Sequence, residues 1–354
     1  MYASYPVMRR GLGESAEQAR RILRAHAGLI LLTLVYCLGG ALLAGALGLS
    51  DGFSLTLYAK GVVRPYVLTI VLFAAAYTAR VMLVERPKRL LRHLRDDLTV
   101  RYLTLERLLP GLTVLALLPF FFSAFTSFKM LIPWIKPYAW DQTFMAWDLW
   151  LHGGRHPWEL LQPLLGTPVI TAAINLNYHL WFFLLYAMIV WQAFALRDPH
   201  LRMRFFVTLF LCLCLLGSLA AIGFASAGPC YYGPVTGLQD PYAPLMDYLR
   251  QADESYPVWA LGVQEMLWQK YQEGSPALGS GISAMPSVHV AVALLLALTG
   301  WRIDRRLGLA LSVFAGLTLL GSVHLAWHYA VDGYASILAT LFLWWAVGRL
   351  TRAR

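Results

Sequence analysis

Two short stretches in the last third of the chain hold the residues best suited to chemistry. They are Ala284-Met285-Pro286-Ser287-Val288-His289 and Ser322-Val323-His324-Leu325-Ala326-Trp327-His328-Tyr329-Ala330-Val331-Asp332. Both lie among apolar runs, where an ionisable side chain is costly and is functional by default. Pro286 fits a helix start, where its missing N–H costs nothing. Ser287 and His289 then sit in or beside the first turn, where unpaired N–H groups and the positive helix end favour an anion such as phosphate. In the second stretch His324, His328 and Asp332 recur every four residues, so a continuous helix stacks them on one face.

A carboxylate one turn from a histidine accepts a hydrogen bond from one ring nitrogen. That fixes the tautomer and aims the other nitrogen's lone pair at an electrophile. A second histidine can protonate the departing oxygen. Together these groups suit in-line displacement at phosphorus through a phosphohistidine. The same residues leave three other arrangements open: a metal held by His324, His328 and Asp332, a Ser287 nucleophile served by a His–Asp pair, or polar side chains that only bond neighbouring helices.

The elements that position these groups follow from composition. Of 354 residues, 58% are apolar and only 14% charged, and the mean hydropathy is +0.57. A soluble globule carries about 25% charged residues, so this chain cannot cover a soluble surface. A disordered tail, a secreted disulfide scaffold and a coiled coil are excluded on the same figures. The expectation is an all-α, polytopic membrane bundle forming a single domain. About eight stretches approach the roughly 20 apolar residues a spanning helix needs: 27–49, 66–84, 111–132, 168–195, 205–225, 286–301, 307–325 and 330–348, the sixth and eighth being the shortest. The apolar run near the N-terminus lacks a small-residue cleavage site and is expected to stay as an anchor.

The net charge of +10 in so apolar a chain speaks for loops facing anionic lipid and against nucleic acid. With the N-terminus cytoplasmic, 22 of the 29 Lys and Arg residues fall on that side. An even number of spans returns the C-terminus there. This topology starts the sixth span, ends the seventh and starts the eighth at the opposite face, so both reactive stretches converge on the extracytoplasmic side of a cell membrane.

Two non-spanning regions frame this arrangement. Segment 85–110 alternates Arg89, Arg92, Arg95 and Arg101 with Leu90, Leu91, Leu94 and Leu98, as an amphipathic helix on the inner leaflet does. Segment 226–285 mixes tyrosines and tryptophans with acids, which predicts short helices at the outer interface. It either touches substrate as a lid or simply covers the bundle. Cys37, Cys212, Cys214 and Cys230 are read as thiols. Internal repeats and low-complexity stretches are not evident.

Pro286-Ser287-Val288-His289 followed by His328-Tyr329-Ala330-Val331-Asp332 resembles the type 2 phosphatidic acid phosphatase (PAP2) superfamily. Ala284-Met285-Pro286-Ser287 with His-Tyr-x-Val-Asp resembles more closely its branch of inositol phosphorylceramide synthases. The motif-bearing likeness covers about residues 226–345. It implies His328 as nucleophile, Asp332 as its orienting partner, His289 as general acid and Ser287 against the phosphate, with no metal or other cofactor. The family's first motif, Lys, six residues, then Arg-Pro, is not matched by Lys60 to Pro65, which has three residues between. Gly321 and Ser322 stand where the third motif has Ser-Arg, and Val288 replaces a glycine of the second.

Missing cations favour a singly charged ligand. A phosphate monoester carries nearly two charges and calls for paired Arg or Lys, whereas a diester carries one. The expectation is therefore an enzyme moving a phospho-head group from a membrane lipid phosphodiester to a hydroxyl acceptor. Ser287, Ser322, His324, Trp327 and Lys270 are its candidate substrate contacts. Arg250, Lys270 or His324 could supply missing charge, and Trp327 with Tyr231 and Tyr232 could form an aromatic wall or an interface belt. A lipid phosphate or polyprenyl diphosphate phosphatase is the alternative enzyme. A transporter or lipid-binding scaffold is the alternative outside enzymes.

Overall fold

The structure, a computed structural model, describes residues 12–59, 61, 63–274 and 281–352. Lys60 and the Gly279-Ser280 pair closing the long loop lie outside them. Thirteen helices carry the fold, and no strand occurs among the described residues. They are α1 (Leu12–Ala46), α2 (Val63–Arg80), α3 (Leu90–Asp97), α4 (Leu105–Ile135), α5 (Asp141–Leu151), α6 (Pro157–Leu165), α7 (Pro168–Phe194), α8 (Pro199–Gly223), α9 (Ala243–Ser255), α10 (Trp259–Glu273), α11 (Val288–Ile303), α12 (Arg305–His324) and α13 (Ala330–Arg352). Seven of them, α1, α2 (extended through Glu85), α4, α7, α8, α12 and α13, are long and apolar enough to cross a bilayer. In hydrocarbon every backbone polar group must be bonded within its own segment, which is why uniformly apolar runs fold this way.

The sixth expected span is shorter than a crossing helix. α11 has 16 residues, about 24 Å at 1.5 Å per residue. It lies inside the bundle instead of facing lipid: Val290, Ala291, Val292, Ala293, Leu295 and Leu296 are all buried. Neighbouring helices supply its surroundings, so bilayer thickness does not set its length.

Apolar side chains of α4, α7, α8 and α11 form the main core. Phe121, Leu185, Ile189, Phe205, Phe206, Phe210, Val292 and Leu296 meet there, with the rings of Phe121 and Phe210 stacked at 4.0 Å. Polar residues end the helices. Asp198 caps α8 through Leu201 N–H (2.9 Å), and Asp304 caps α12 through Arg306 N–H (2.8 Å). From Cys212 to Ala220, α8 takes the wider i→i+5 spacing of a π-helix.

Basic groups gather at one end of the bundle. Arg107 donates to Phe194 O at 3.0 Å, and Arg204 donates twice to Trp344 O at 2.9 and 2.7 Å. The two reactive stretches lie at the other end. Segment 85–110 contains α3 followed by a π-helical turn, with Leu91 and Leu98 exposed. Segment 226–285 contains the short helix Tyr232–Thr236, α9 and α10. The four cysteines are free thiols.

Candidate active site

The chain breaks between α12 and α13, and that break makes the site. His324 is the last residue of α12, Ala326 takes a positive φ of 59°, and α13 begins at Ala330. His324, His328 and Asp332 therefore do not share one continuous helix face, in contrast to their spacing. The turn is held by Ser322, whose carbonyl accepts from both Trp327 N–H and His328 N–H at 2.9 Å.

Within this turn His328 and Asp332 pair. Nδ1 of His328 lies 3.3 Å from Oδ2 of Asp332, which also accepts from Tyr329 N–H at 3.0 Å. A carboxylate only accepts, so Nδ1 carries the proton and Nε2 keeps its lone pair. Both residues are buried. Burial, reinforced by the nearby Lys129 ammonium and opposed by a backbone hydrogen bond with Ala284, holds the His328 imidazole far down at about 3.

The first stretch meets the second across the bundle. Ser287 N–H donates to Asp332 O at 3.3 Å. The helix starts two residues after Pro286, with Ser287 as its cap: Oγ accepts from Val290 N–H at 3.4 Å. His289 projects into the same cavity as His328, a space of about 220 Å³. Its ring stacks on Tyr178 at 4.8 Å, and its carbonyl accepts from Trp181 Nε1 at 3.0 Å.

Several groups converge on this cavity and others do not. Trp327 and Tyr231 line it, whereas Tyr232 packs with Tyr242 and Tyr329 in a separate cluster. His324 turns away and bonds Thr171 Oγ1 through Nε2 at 2.9 Å. Ser322 Oγ returns to Leu319 O at 2.7 Å, so its part is to shape the turn. Lys270 pairs with Glu273 at 2.6 Å beside a second, smaller cavity. Arg250 pairs with Asp247 at 2.7 Å on the exposed face of α9. Neither reaches His328.

The cation in the cavity is Lys129 of α4, the one Lys or Arg among the described residues lining it. The sequence signal for it was an ionisable group within the apolar run 111–132. Residues of segment 226–285 also line the cavity, namely Val263 and Leu267 of α10 with Ile282 and Ser283, so this segment is part of the site's wall.

Two further carboxylates escaped the sequence reading. Asp141 and Asp148 are both buried on α5. Asp141 accepts from Ala227 N–H (3.0 Å), Gly228 N–H (2.8 Å) and Tyr329 Oη–H (2.9 Å). Asp148 accepts from Ala330 N–H (2.8 Å) and Val331 N–H (3.0 Å), capping α13 from another helix. Burial raises both above the usual carboxylate range, Asp148 to about 6. The signal was a pair of acids seven apart in an otherwise apolar segment.

The strand-like run from Ser226 to Gly228 ties the parts together. Ser226 accepts from Ala284 N–H at 2.9 Å through its carbonyl and from Met285 N–H at 3.2 Å through Oγ. Gly228 has a φ of +103°, and a β-carbon there would stand 2.7 Å from Trp327 O. Only glycine permits that approach.

The arrangement can do a definite chemistry: the oriented imidazole of His328, the imidazoles of His289 and His179 and the Lys129 ammonium share one cavity. Among the described residues, no group of three or more His, Cys, Asp or Glu side chains is placed to hold a metal ion. Comparison with curated proteins and with solved structures finds no significant match to this chain. The family model described as the PAP2 superfamily matches residues 142–346, from within α5 through the site to α13. With more than half its length so matched, and with His289, His328 and Asp332 inside the match, the chain belongs to the PAP2 superfamily.

Proposed function

We propose that this protein moves a phospho-head group from a lipid phosphodiester to a hydroxyl acceptor through a phosphohistidine on His328. Superfamily membership supports a lipid phosphatase or phosphotransferase type of function in general. The observation favouring transfer from a diester is the single Lys or Arg side chain, Lys129, in a cavity also lined by His179, His289 and His328. One ammonium balances the single charge of a diester, whereas a monoester carries nearly two. The likeness of Ala284-Met285-Pro286-Ser287 and His328 to Asp332 to the inositol phosphorylceramide synthase branch supports the same choice.

In this reading His328 Nε2 attacks phosphorus and the P–O bond to the lipid alcohol breaks. His289 gives that oxygen its proton. The acceptor hydroxyl then loses its proton to His289 and attacks the phosphohistidine, breaking the P–N bond and restoring His328. Asp332 holds the tautomer throughout. The basic end of the bundle faces the cytoplasm under the positive-inside rule, which puts the reaction at the extracytoplasmic face.

Phosphorus NMR on purified protein in mixed micelles tests the proposal. Phosphatidic acid, a polyprenyl diphosphate and several phosphodiester lipids are each supplied with candidate alcohols. A new phosphodiester resonance, absent with His328→Ala, is expected. Inorganic phosphate as the product replaces this reading with a phosphatase, and no reaction with any lipid speaks for a non-enzymatic protein.

His289→Ala should spare donors with very good leaving groups, such as a nitrophenyl diester, and lose about 10²- to 10⁴-fold on alkyl diesters. An equal loss on both removes the general-acid role.

Acid should not silence the nucleophile near neutrality, because His328 stays neutral down to about pH 3. Asp148, raised to about 6 by burial, gains a proton between pH 7 and 5. Any loss of kcat/KM in that window is expected to disappear in Asp148→Asn. A limb near 6.5 in both enzymes would put the titration on the nucleophile instead.

A further inference from the structure

The cavity has an apolar limb that the phosphoryl chemistry does not use. Its walls come from α4, α7 and α8: Phe122, Phe125, Leu185, Leu213 and Gly217, with Tyr58 and Tyr186. Leu213 and Gly217 both lie in the π-helical part of α8, a distortion often found at functional sites. Gly217 sets the width of this limb. A β-carbon there would stand 2.5 Å from Phe125 Cε2 and 3.0 Å from Val288 Cγ2. Phe182 of α7, edge-on to the His289 ring, also lines the cavity and is 48% exposed.

We infer that this limb binds a hydrocarbon chain of the lipid reactant, and that Gly217 and Phe125 set the chain it admits. The occupant follows from continuity with the phosphoryl site. A lipid whose phosphorus or hydroxyl sits at His328 and Lys129 has its chains attached a few atoms away. The adjoining apolar walls remove such a chain from competition with the headgroup site's polar groups. In this inference the chain enters sideways from the bilayer past the half-exposed Phe182. The inference rests on reading the cavity as a phospholipid site, yet it holds for a phosphatase as for a transferase.

Binding, not turnover, tests it. Dissociation constants are measured in detergent micelles for His328→Ala protein, which cannot react, alone and combined with Gly217→Ala or Phe125→Ala. The probes are phosphatidylglycerols with two six-carbon, two fourteen-carbon or two methyl-branched chains. Diacylglycerols of the same three kinds form the second arm. Gly217→Ala pushes Phe125 into the limb and should reduce the preference for fourteen over six carbons by about tenfold, the equivalent of roughly two buried methylenes. Phe125→Ala widens the limb and should improve binding of the branched chain by about tenfold.

Response of the phosphatidylglycerol arm assigns the limb to the phosphorylated reactant. Response of the diacylglycerol arm alone assigns it to a lipid alcohol, and either result supports the slot. Should Gly217→Ala fail to fold, the branched-chain gain in Phe125→Ala still decides. Unchanged chain preference in both arms, or no binding of any probe, overturns the inference. Release of inorganic phosphate in the NMR experiment would end the transfer proposal while leaving this chain dependence intact.

Discussion

His328→Ala is expected to lower turnover by at least about 10⁴-fold, the scale on which loss of a nucleophile acts when the remaining site is intact. The residue forms the covalent bond in the proposed reaction, and the other imidazoles nearby are held elsewhere: His289 stacks on Tyr178, His179 bonds Asn175 O through Nδ1, and His324 bonds Thr171. The variant should keep its fold, because Ser322 O, Asp148 and Asp141 hold the turn through backbone groups and Tyr329. Size-exclusion and thermal unfolding in detergent check that. Added imidazole should restore a measurable part of the activity by occupying the vacated space.

Asp332→Asn should follow the same direction, with a loss of about 10³- to 10⁴-fold, because an amide no longer enforces the Nδ1–H tautomer. Full turnover in His328→Ala removes the nucleophile assignment. Acid-labile radioactivity on the wild-type protein, absent from the variant, secures it.

The second large effect is on stability. Asp141→Ala leaves the N–H groups of Ala227 and Gly228 and the hydroxyl of Tyr329 without their acceptor in a buried setting. Each orphaned donor costs about 1–3 kcal/mol. Relaxation and water entry recover part of this, leaving a loss of about 3–5 kcal/mol. Folded proteins hold only about 5–15 kcal/mol in all, so the variant should unfold at a much lower temperature and lose activity with its fold. Asp141→Asn keeps one acceptor oxygen and should fall between. A loss below about 1 kcal/mol in Asp141→Ala would show that α5 is not what holds the site together.

These two predictions rest on residues that differed greatly in legibility. His328, Asp332, His289 and Ser287 stood out because four-residue spacing and a proline-bounded helix start are local signals. The spans were found because about 20 apolar residues leave a lasting composition signature. Asp141 and Asp148 were not found, since their partners lie 86 to 188 positions away and nothing in local spacing encodes such pairs. α5 and α6 were missed for a related reason: each is too short to span and is held by tertiary contacts.

His324 shows the opposite failure. Its spacing matched that of His328 and Asp332, but the backbone leaves the helix at Leu325 and turns at Ala326. Periodicity presumes a continuous helix. The positive-φ residue here is alanine, which gives no warning of a break as glycine would. Lys129, inside the expected span 111–132, was not singled out because charge arithmetic records a side chain's sign and sidedness but not its direction.

The cap that Asp148 places on α13 bridges 182 positions of sequence. At about 5–20 residues per second of synthesis, the carboxylate leaves the ribosome roughly ten to forty seconds before the helix it caps. During that interval the last two helices and the reactive turn do not yet exist. Until the final segment is inserted beside α5, the proposed site has neither its turn nor the cap that holds it.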